Sequence, residues 1–294
     1  MGGFPTIERT DIDSGRLAEF IRESDFTSLA VDLLREVASY ACVAACTLGA
    51  EPTWDRDQAV VGGNMVRLYK LLDALLDQTC KKRRETSTIF VRLAFETAIN
   101  IRYLIANFSS ELVKAYIRFS LRHERGLRNL ILSNIDSRGG TIEPIEQRML
   151  SSLDRTARVA GISLDSIDPN DRTPHWGGKS IRQKAISLGL EGPYDSAFGG
   201  MSHNVHGSWQ DLYDYHLKVD GEGRFTPNLD WRMPRPQILT AMGLIAVGTA
   251  HDFLGFIGGT SALDQLAHKL TDLEDRILML DEAHENFLNK IQGS

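Results

Sequence analysis

The sequence is poor in cysteine, and this limits the chemistry available to it. Its 294 residues include only Cys42, Cys46 and Cys80. The first two stand four residues apart within one predicted helix, a spacing that suits neither a disulfide nor a zinc motif. We therefore expect free thiols, a reducing compartment and a cytoplasmic protein.

The sequence also lacks the long apolar runs of membrane proteins. No run reaches the roughly 18 apolar residues that a transmembrane helix needs. The nearest, residues 238–257, contains His251, Asp252 and several glycines, so we expect a buried core helix and no membrane partner. The N-terminal residues MGGFPTIERTD have neither the basic nor the apolar region of a signal peptide, and we expect no export.

There is no excess of positive charge, since 33 Lys and Arg stand against 39 Asp and Glu, giving a net charge of -6. Bulk electrostatics therefore does not favour nucleic acid or acidic membranes, and only a local basic groove would attract them. Hydrophobic residues make up 42% of the chain, which is enough for a sizeable core.

What the sequence does contain is helical periodicity, because apolar side chains recur every three or four residues through most of it. We expect an all-α protein, an antiparallel multi-helix bundle in which residues 1–258 form one helical domain. The Gly- and Pro-rich segment 161–179 predicts a loop, and LKVDGEGRFTPN predicts a small β-hairpin near residues 217–227. The predicted helices cover residues 25–48, 54–80, 85–107, 110 to before Gly139, 143–159, 180–189, 194–213 and from 238 onward.

The C-terminal segment, residues 259–294, carries the clearest helical pattern. Its apolar positions alternate by three and four over about four heptads, which predicts a long heptad helix. Such a helix needs a partner of similar length, either within the same bundle or in a second protomer, and we expect a homodimer. The seam comprises Leu263, Leu266, Leu270, Leu273, Ile277, Leu280, His284, Phe287 and Ile291.

Polar residues recur at helical spacing within RLAFETAINIRYL. Arg92, Glu96, Asn100 and Tyr103 follow in steps of four, four and three, so they share one helix face. The pair Arg92–Glu96 is either a solvent-exposed ion pair or part of a polar stripe facing the bundle interior, where the carboxylate would need a cation beside it.

Histidines are concentrated in SHNVHGSWQDLYDYH. His206 shares a predicted helix face with Ser202 or with His203, and it could carry a proton near neutral pH. It could equally be a structural histidine at a helix end. His123 lies between the apolar positions Phe119 and Leu127, so we expect it to point inward.

Motifs for metals and cofactors are absent or incomplete. The pair His251-Asp252 is typical of metal-dependent phosphohydrolases, and Gly178-Lys179-Ser180 suggests a phosphate loop. The latter motif, however, has Thr173 where its first glycine should stand. We therefore expect neither a cofactor nor a bound metal. The alternative is a metal-dependent phosphohydrolase that uses His251 and Asp252.

The order of five segments resembles a bacterial family of proteins, the domain-of-unknown-function family five-six-seven-seven, over roughly residues 60–258. The resemblance implies an all-helical fold and assigns no activity. Its characteristic positions are Arg92, Glu96, Trp176, Arg182, Tyr194, Ser202 and His206. The segments are RLAFETAINIRYL, AYIRFSLRHE, HWGGKSIRQKAISLGL, PYDSAFGGMSHNVHGS and MPRPQILTAMGLIAVGTAHDFLGF.

That family is in turn similar to HEPN-type helical domains, many of which are metal-independent ribonucleases of toxin–antitoxin or phage-defence systems. Their signature is an arginine followed, after four to six residues, by histidine. Here Gly199, Gly200 and Met201 occupy the positions where an arginine would precede His206. The resemblance therefore implies a HEPN-like module whose usual catalytic arginine is missing.

Two functions follow from this resemblance. The leading hypothesis is an interaction or ligand-sensing module of bacterial defence or stress response, with RNA or protein as partner. The alternative is a ribonuclease in which His206 transfers the proton and Ser202 orients the His206 side chain. Arg92 or Arg182 would stabilise the phosphorane charge, and Glu96 would hold that arginine in place. In both cases we expect the pocket to be lined by Tyr103, His123, Trp176, Tyr194 and His203.

Overall fold

A computed structural model describes residues 6–49, 53–168, 170–198, 201, 205–258 and 261–292, without the side chains of 196, 197, 261, 262 and 292. The chain forms two compact units. Unit 1 comprises Met1–Ala106 and Lys184–Ser294, and unit 2 comprises Asn107–Gln183. Each unit is considered by itself below.

The described residues are predominantly helical, and the prediction of an all-α protein with a long C-terminal helix and one small hairpin is confirmed. The helices are α1 (Ser14–Ala18), α2 (Glu23–Ala45), α3 (Arg56–Cys80), α4 (Arg84–Ala106), α5 (Ser110–Ser137), α6 (Pro144–Ala160), α7 (Ile181–Ser187), α8 (Glu191–Pro193), α9 (Trp209–Asp211), α10 (Pro236–Ile257) and α11 (Ser261–Gln292). The hairpin pairs β1 (Leu217–Val219) with β2 (Phe225–Pro227) in antiparallel register.

The centre of unit 1 is α10, which packs against α2, α4 and α11. By length and composition α10 is apolar enough to cross a membrane, but 61% of its most apolar 18-residue window is buried within the protein. Small residues allow this close packing: a Cβ added at Gly243 would lie 3.2 Å from the Cδ1 of Ile277 on α11. The predicted core helix is therefore a core helix of unit 1.

The heptad seam of α11 is buried from Leu263 to His284, and α11 packs on α2 and α10 of the same chain. His284 lies against Phe26 of α2, with 4.9 Å between the ring centroids. Burial lowers its pKa, so the ring is neutral at neutral pH. The seam therefore has its helical partners within unit 1, and pairing with a second protomer stays a prediction.

A buried ion pair joins α2 to α11. The side chain of Arg276 binds Glu36 in two parallel hydrogen bonds of 2.7 Å, and both side chains are at most 5% exposed. The same two groups hold the chain ahead of α1, since Thr10 N–H donates to Glu36 (2.8 Å) and Arg276 donates to the carbonyl of Thr10 (2.8 Å). We call residues 6–12 the N-terminal strap.

Unit 2 is built on the antiparallel neighbours α5 and α6. Ser109 caps α5 by accepting from Leu112 N–H at 3.2 Å. Arginines on one side of α5 hold the segment that follows α6: Arg125 donates to the carbonyl of Leu164 (2.6 Å), and Arg128 pairs with Asp165 (2.9 Å).

The predicted orientation of α5 was wrong by about one residue. His123 is exposed rather than inward-facing, and Leu130, seven residues further along the same helix face, is 58% exposed. A one-residue error turns a helix face by about 100°, which is enough to exchange a core position for a surface one. The buried positions of α5 are Val113, Ile117, Leu121, Ile131 and Ile135.

Two adjacent glycines of α3 should respond oppositely to alanine. A Cβ at Gly62 would lie 2.4–2.7 Å from ring atoms of Trp54, whereas a Cβ at Gly63 meets nothing within 4 Å. Gly62→Ala should destabilise the protein by about 1–3 kcal/mol through overpacking, and Gly63→Ala should stabilise it by about 0.5–1 kcal/mol through helix propensity. Urea unfolding measures both, and equal effects would show that Trp54 does not rest on Gly62.

Removing one partner of the buried ion pair should be costly. Arg276→Met leaves Glu36 buried without its cation, and the free energy of unfolding should fall by about 3–5 kcal/mol. The double variant Arg276→Met/Glu36→Leu should recover most of that loss, because no unpaired charge is then buried. Chemical denaturation tests both, and a double variant no more stable than the single one would contradict this account.

Candidate functional site

The polar stripe of α4 faces inward at its N-terminal half. The Arg92 side chain is 10% exposed and pairs with Glu96 one turn later, at 2.6 Å. It also donates to the carbonyl of Phe198 at 3.0 Å, and its guanidinium lies 5.6 Å from the ring centroid of Tyr194. We call Arg92, Glu96, Tyr194 and Phe198 the α4 cluster.

An aromatic stack fixes the α4 cluster. Phe95, also on α4, stacks on Phe198 with centroids 3.9 Å apart and an interplanar angle of 7°, and its ring lies 6.0 Å from that of Tyr194. Both phenylalanines are fully buried. The helical turn Tyr194–Phe198 is therefore packed onto α4, and the guanidinium of Arg92 is already engaged by three protein groups.

A buried lysine of α7 that is absent from the predicted site lies beside the C-terminal half of the stripe. Lys184 of α7 is 1% exposed, with Nζ 5.5 Å from the ring centroid of Tyr103. Burial lowers its pKa to about 7. The sequence does indicate this burial, since Lys184 shares a helix face with the apolar residues Ile181, Ala185 and Leu188.

His206 lies on the surface. It is exposed, in a short helical turn. Ser202 and His203 lie outside the described residues. The predicted convergence of this segment with Arg92 and Glu96 therefore stays a prediction.

Three further predicted site residues belong to unit 2. Trp176 is buried, with its ring edge-to-face against Tyr116 at 5.0 Å between centroids, so it acts there as a packing residue. His123 on α5 and Arg182 on α7 are exposed. Their predicted participation in one pocket with the α4 cluster also stays a prediction.

Of the two residues His251 and Asp252, the aspartate forms an ion pair. Asp252 accepts from Arg102 Nε at 2.7 Å, which links α10 to α4. Across the part of the chain that the structure describes, no group of three His, Cys, Asp or Glu side chains could hold a metal ion. The phosphohydrolase alternative therefore lacks a ligand set there.

A different set of charges gathers where α3 meets α4. Arg84 N–H donates to the carbonyl of Arg232 (2.9 Å), and Arg84 Nε donates to that of Met233 (2.7 Å). These bonds bring the run Lys81-Lys82-Arg83-Arg84 beside residues 231–235. We call the resulting patch the basic–aromatic surface, which comprises Lys81, Lys82, Arg83, Arg84, Tyr215, Trp231, Arg232 and Arg235.

Two aromatic rings of this surface lie under guanidinium groups. The Arg83 guanidinium is 5.0 Å from the ring of Trp231, and that of Arg232 is 5.3 Å from Tyr215. Trp231 is 54% exposed. Burial, followed by the charges of Arg235 and Arg232, lowers the pKa of Arg84, so the cations are close enough to repel one another.

The comparison with protein families gives one match. Residues 58–224 match the Family of unknown function (DUF5677), which is more than half of the chain, and the protein belongs to that family. The matched region contains the α4 cluster, unit 2 and the hairpin up to its turn. Searches among curated proteins and among solved structures returned no significant match.

Lys184 should make stability depend on pH. Between its folded pKa of about 7 and the ordinary lysine value of 10.5, the unfolded chain holds one proton more than the folded protein. Wild-type stability should therefore rise with pH in this window, by up to about 1.4 kcal/mol per pH unit, relative to Lys184→Met. Urea unfolding at about pH 7 and about pH 9 measures the difference. Lys70→Met, at an exposed position of α3, is the control, and equal slopes for wild type and Lys184→Met would refute the assignment.

Proposed function

We propose that this protein is a non-catalytic interaction module that binds single-stranded RNA through its basic–aromatic surface. Its family resemblance favours a setting in bacterial defence or stress response. The three free cysteines fit a cytoplasmic location. A homodimer is part of the proposal, supported by Leu278, Met279 and Ile291, which are exposed apolar side chains on α11.

The observation that carries the proposal is the pairing of cations with two aromatic rings, of which that of Trp231 is exposed. Single-stranded nucleic acids are bound by basic grooves that follow the phosphates and by aromatic side chains on which bases stack. Trp231 offers an exposed ring, while Arg83, Arg84, Arg232 and Arg235 supply positive charge beside it. The net charge of the whole chain, -6, does not oppose this, because charges more than about 10 Å away are largely screened at physiological salt.

The α4 cluster favours binding over cleavage. A catalytic arginine must be able to meet the charge that develops on the phosphate, but Arg92 is engaged by Glu96, Phe198 and Tyr194. The sequence ahead of His206 also lacks the arginine of the HEPN signature. Arg92 is best explained as a residue that holds the turn Tyr194–Phe198 onto α4.

Binding and cleavage can be measured on the same labelled single-stranded RNA. We expect a saturable gel shift that weakens as salt rises. Trp231→Ala should weaken binding by about tenfold, as expected for the loss of one stacked base, and Arg83→Ala should reduce both affinity and salt dependence. Trp209→Ala and Arg224→Ala, which change an exposed ring and an exposed arginine elsewhere, should leave binding unchanged.

The same gels distinguish the ribonuclease alternative. Wild type, His206→Ala and the exposed control His268→Ala should all leave the RNA intact. Cleavage by wild type that His206→Ala alone abolishes would overturn the non-catalytic role. Equal RNA affinity in wild type and Trp231→Ala would instead overturn the assignment of the surface.

A further inference from the structure

A cavity of about 760 Å³ lies in unit 1 between the N-terminal strap, α2 and α3. Its α2 wall is one helix face that includes Asp32, Arg35, Ser39 and Cys42, and its α3 wall includes Tyr69, Asp73 and Leu76. Its volume is typical of sites for small molecules. None of its lining residues belongs to the basic–aromatic surface or to the α4 cluster.

The carboxylate of Asp73, beside the thiol of Cys42 and the hydroxyl of Tyr69, makes one end of the cavity electronegative. The hydroxyl of Tyr69 is hydrogen-bonded to the thiol of Cys42, and the pKa of Tyr69 is raised first by Cys42 and then by the carboxylate of Asp73. Burial raises the pKa of Cys42, so at neutral pH the thiol and the phenol are uncharged. Asp73 therefore carries the negative charge at this end, and no described residue forms an ion pair with it.

The arginines around the cavity do not neutralise Asp73. Arg35 pairs with Asp32 at 2.8 Å, and Arg9 pairs with Asp11 and with Asp272. The guanidinium groups of Arg9 and Arg35 are thus engaged by other carboxylates, and that of Arg16 donates to the carbonyl of Asp11 at 2.7 Å, so an anionic ligand would have to displace these contacts.

Apolar side chains complete the lining. Val43 of α2, Leu76 of α3 and Ile7 of the strap all border the cavity. A ligand that matches this lining carries one positive charge for Asp73, next to an aromatic ring that can face the cation, and an apolar body for the aliphatic side chains.

We propose that this cavity binds an organic amine, with its ammonium group between the carboxylate of Asp73 and Tyr69, and its hydrocarbon part against Val43, Leu76 and Ile7. The proposal goes beyond RNA binding, because it assigns a second ligand to a separate site. Since the strap closes one side of the cavity and is held by Glu36 and Arg276, the site depends on the buried ion pair for its shape.

Phenethylamine and spermidine serve as probes, and phenethyl alcohol serves as an uncharged analogue of the first. Calorimetric titration of the full chain should show saturable binding of at least one amine and none of the alcohol. Asp73→Asn should weaken amine binding by about tenfold or more. Asp77→Asn, one turn further along α3 and paired with Lys81, is the matched control and should bind as wild type does.

Cysteine alkylation followed by mass spectrometry gives a second readout. A bound amine should slow the reaction of iodoacetamide with Cys42, which lines the cavity, and leave Cys80, which is exposed, unaffected. Circular dichroism of Asp73→Asn checks that the variant is folded.

Three outcomes would overturn the amine site: no saturable binding of either amine, equal binding of phenethyl alcohol, or unchanged affinity in Asp73→Asn. None of them depends on RNA binding, which Trp231→Ala tests separately. A failure of the proposed function and a failure of the amine site can therefore be told apart.

Discussion

The bidentate ion pair between Arg276 and Glu36 is the interaction on which most of unit 1 depends. It joins α11 to α2 and fixes the N-terminal strap through both polar groups of the Thr10 backbone. A charge buried without a partner costs several kcal/mol, whereas a paired charge with complete hydrogen bonding is tolerated. The pair is therefore a device for geometry more than for net stability. Without it, α11 would still bury its leucines, but the strap would lose both hydrogen bonds of Thr10 and would keep the solvent-exposed pair of Arg9 with Asp272.

The same constraint recurs elsewhere in the core. Arg92 meets Glu96 and the carbonyl of Phe198, and Arg102 meets Asp252. The hydrogen bond from Arg92 to Phe198 joins α4 to the turn Tyr194–Phe198, and the pair Arg102–Asp252 joins α4 to α10, so these two contacts connect particular faces of α4 to their neighbours. Lys184 responds differently to burial, with a pKa lowered to about 7. These groups explain why a largely apolar bundle has a defined set of helix neighbours.

Cations therefore have two roles in this protein. Buried cations such as Arg92 and Arg276 are engaged by carboxylates or carbonyls and position the elements of unit 1. Those of the basic–aromatic surface stand close to one another, with Arg84 and Arg232 linked through the backbone and Trp231 exposed beside Arg83. The acidic composition of the chain conceals this concentration, because net charge averages over residues that are far apart in space. A surface of this kind is available to a ligand, whereas the α4 cluster is already filled by the protein itself.

The sequence by itself determined the long helices, the hairpin and the heptad seam of α11, because each depends on the spacing of apolar residues along a local segment. The single helix predicted over 194–213 was wrong, since the described part of that segment forms separate short helical turns. It also placed Arg92 and Glu96 on one face, since an i, i+4 relation is fixed by helix geometry. Only the tertiary structure decided that this face turns inward, that His123 turns outward, and that Arg276 finds Glu36 some 240 residues away. The same holds for the run of basic residues at the start of α4, which gains its aromatic partner from residues 231–235. Periodicity specifies which residues share a face, but the direction of that face depends on packing between distant segments, which no local pattern encodes.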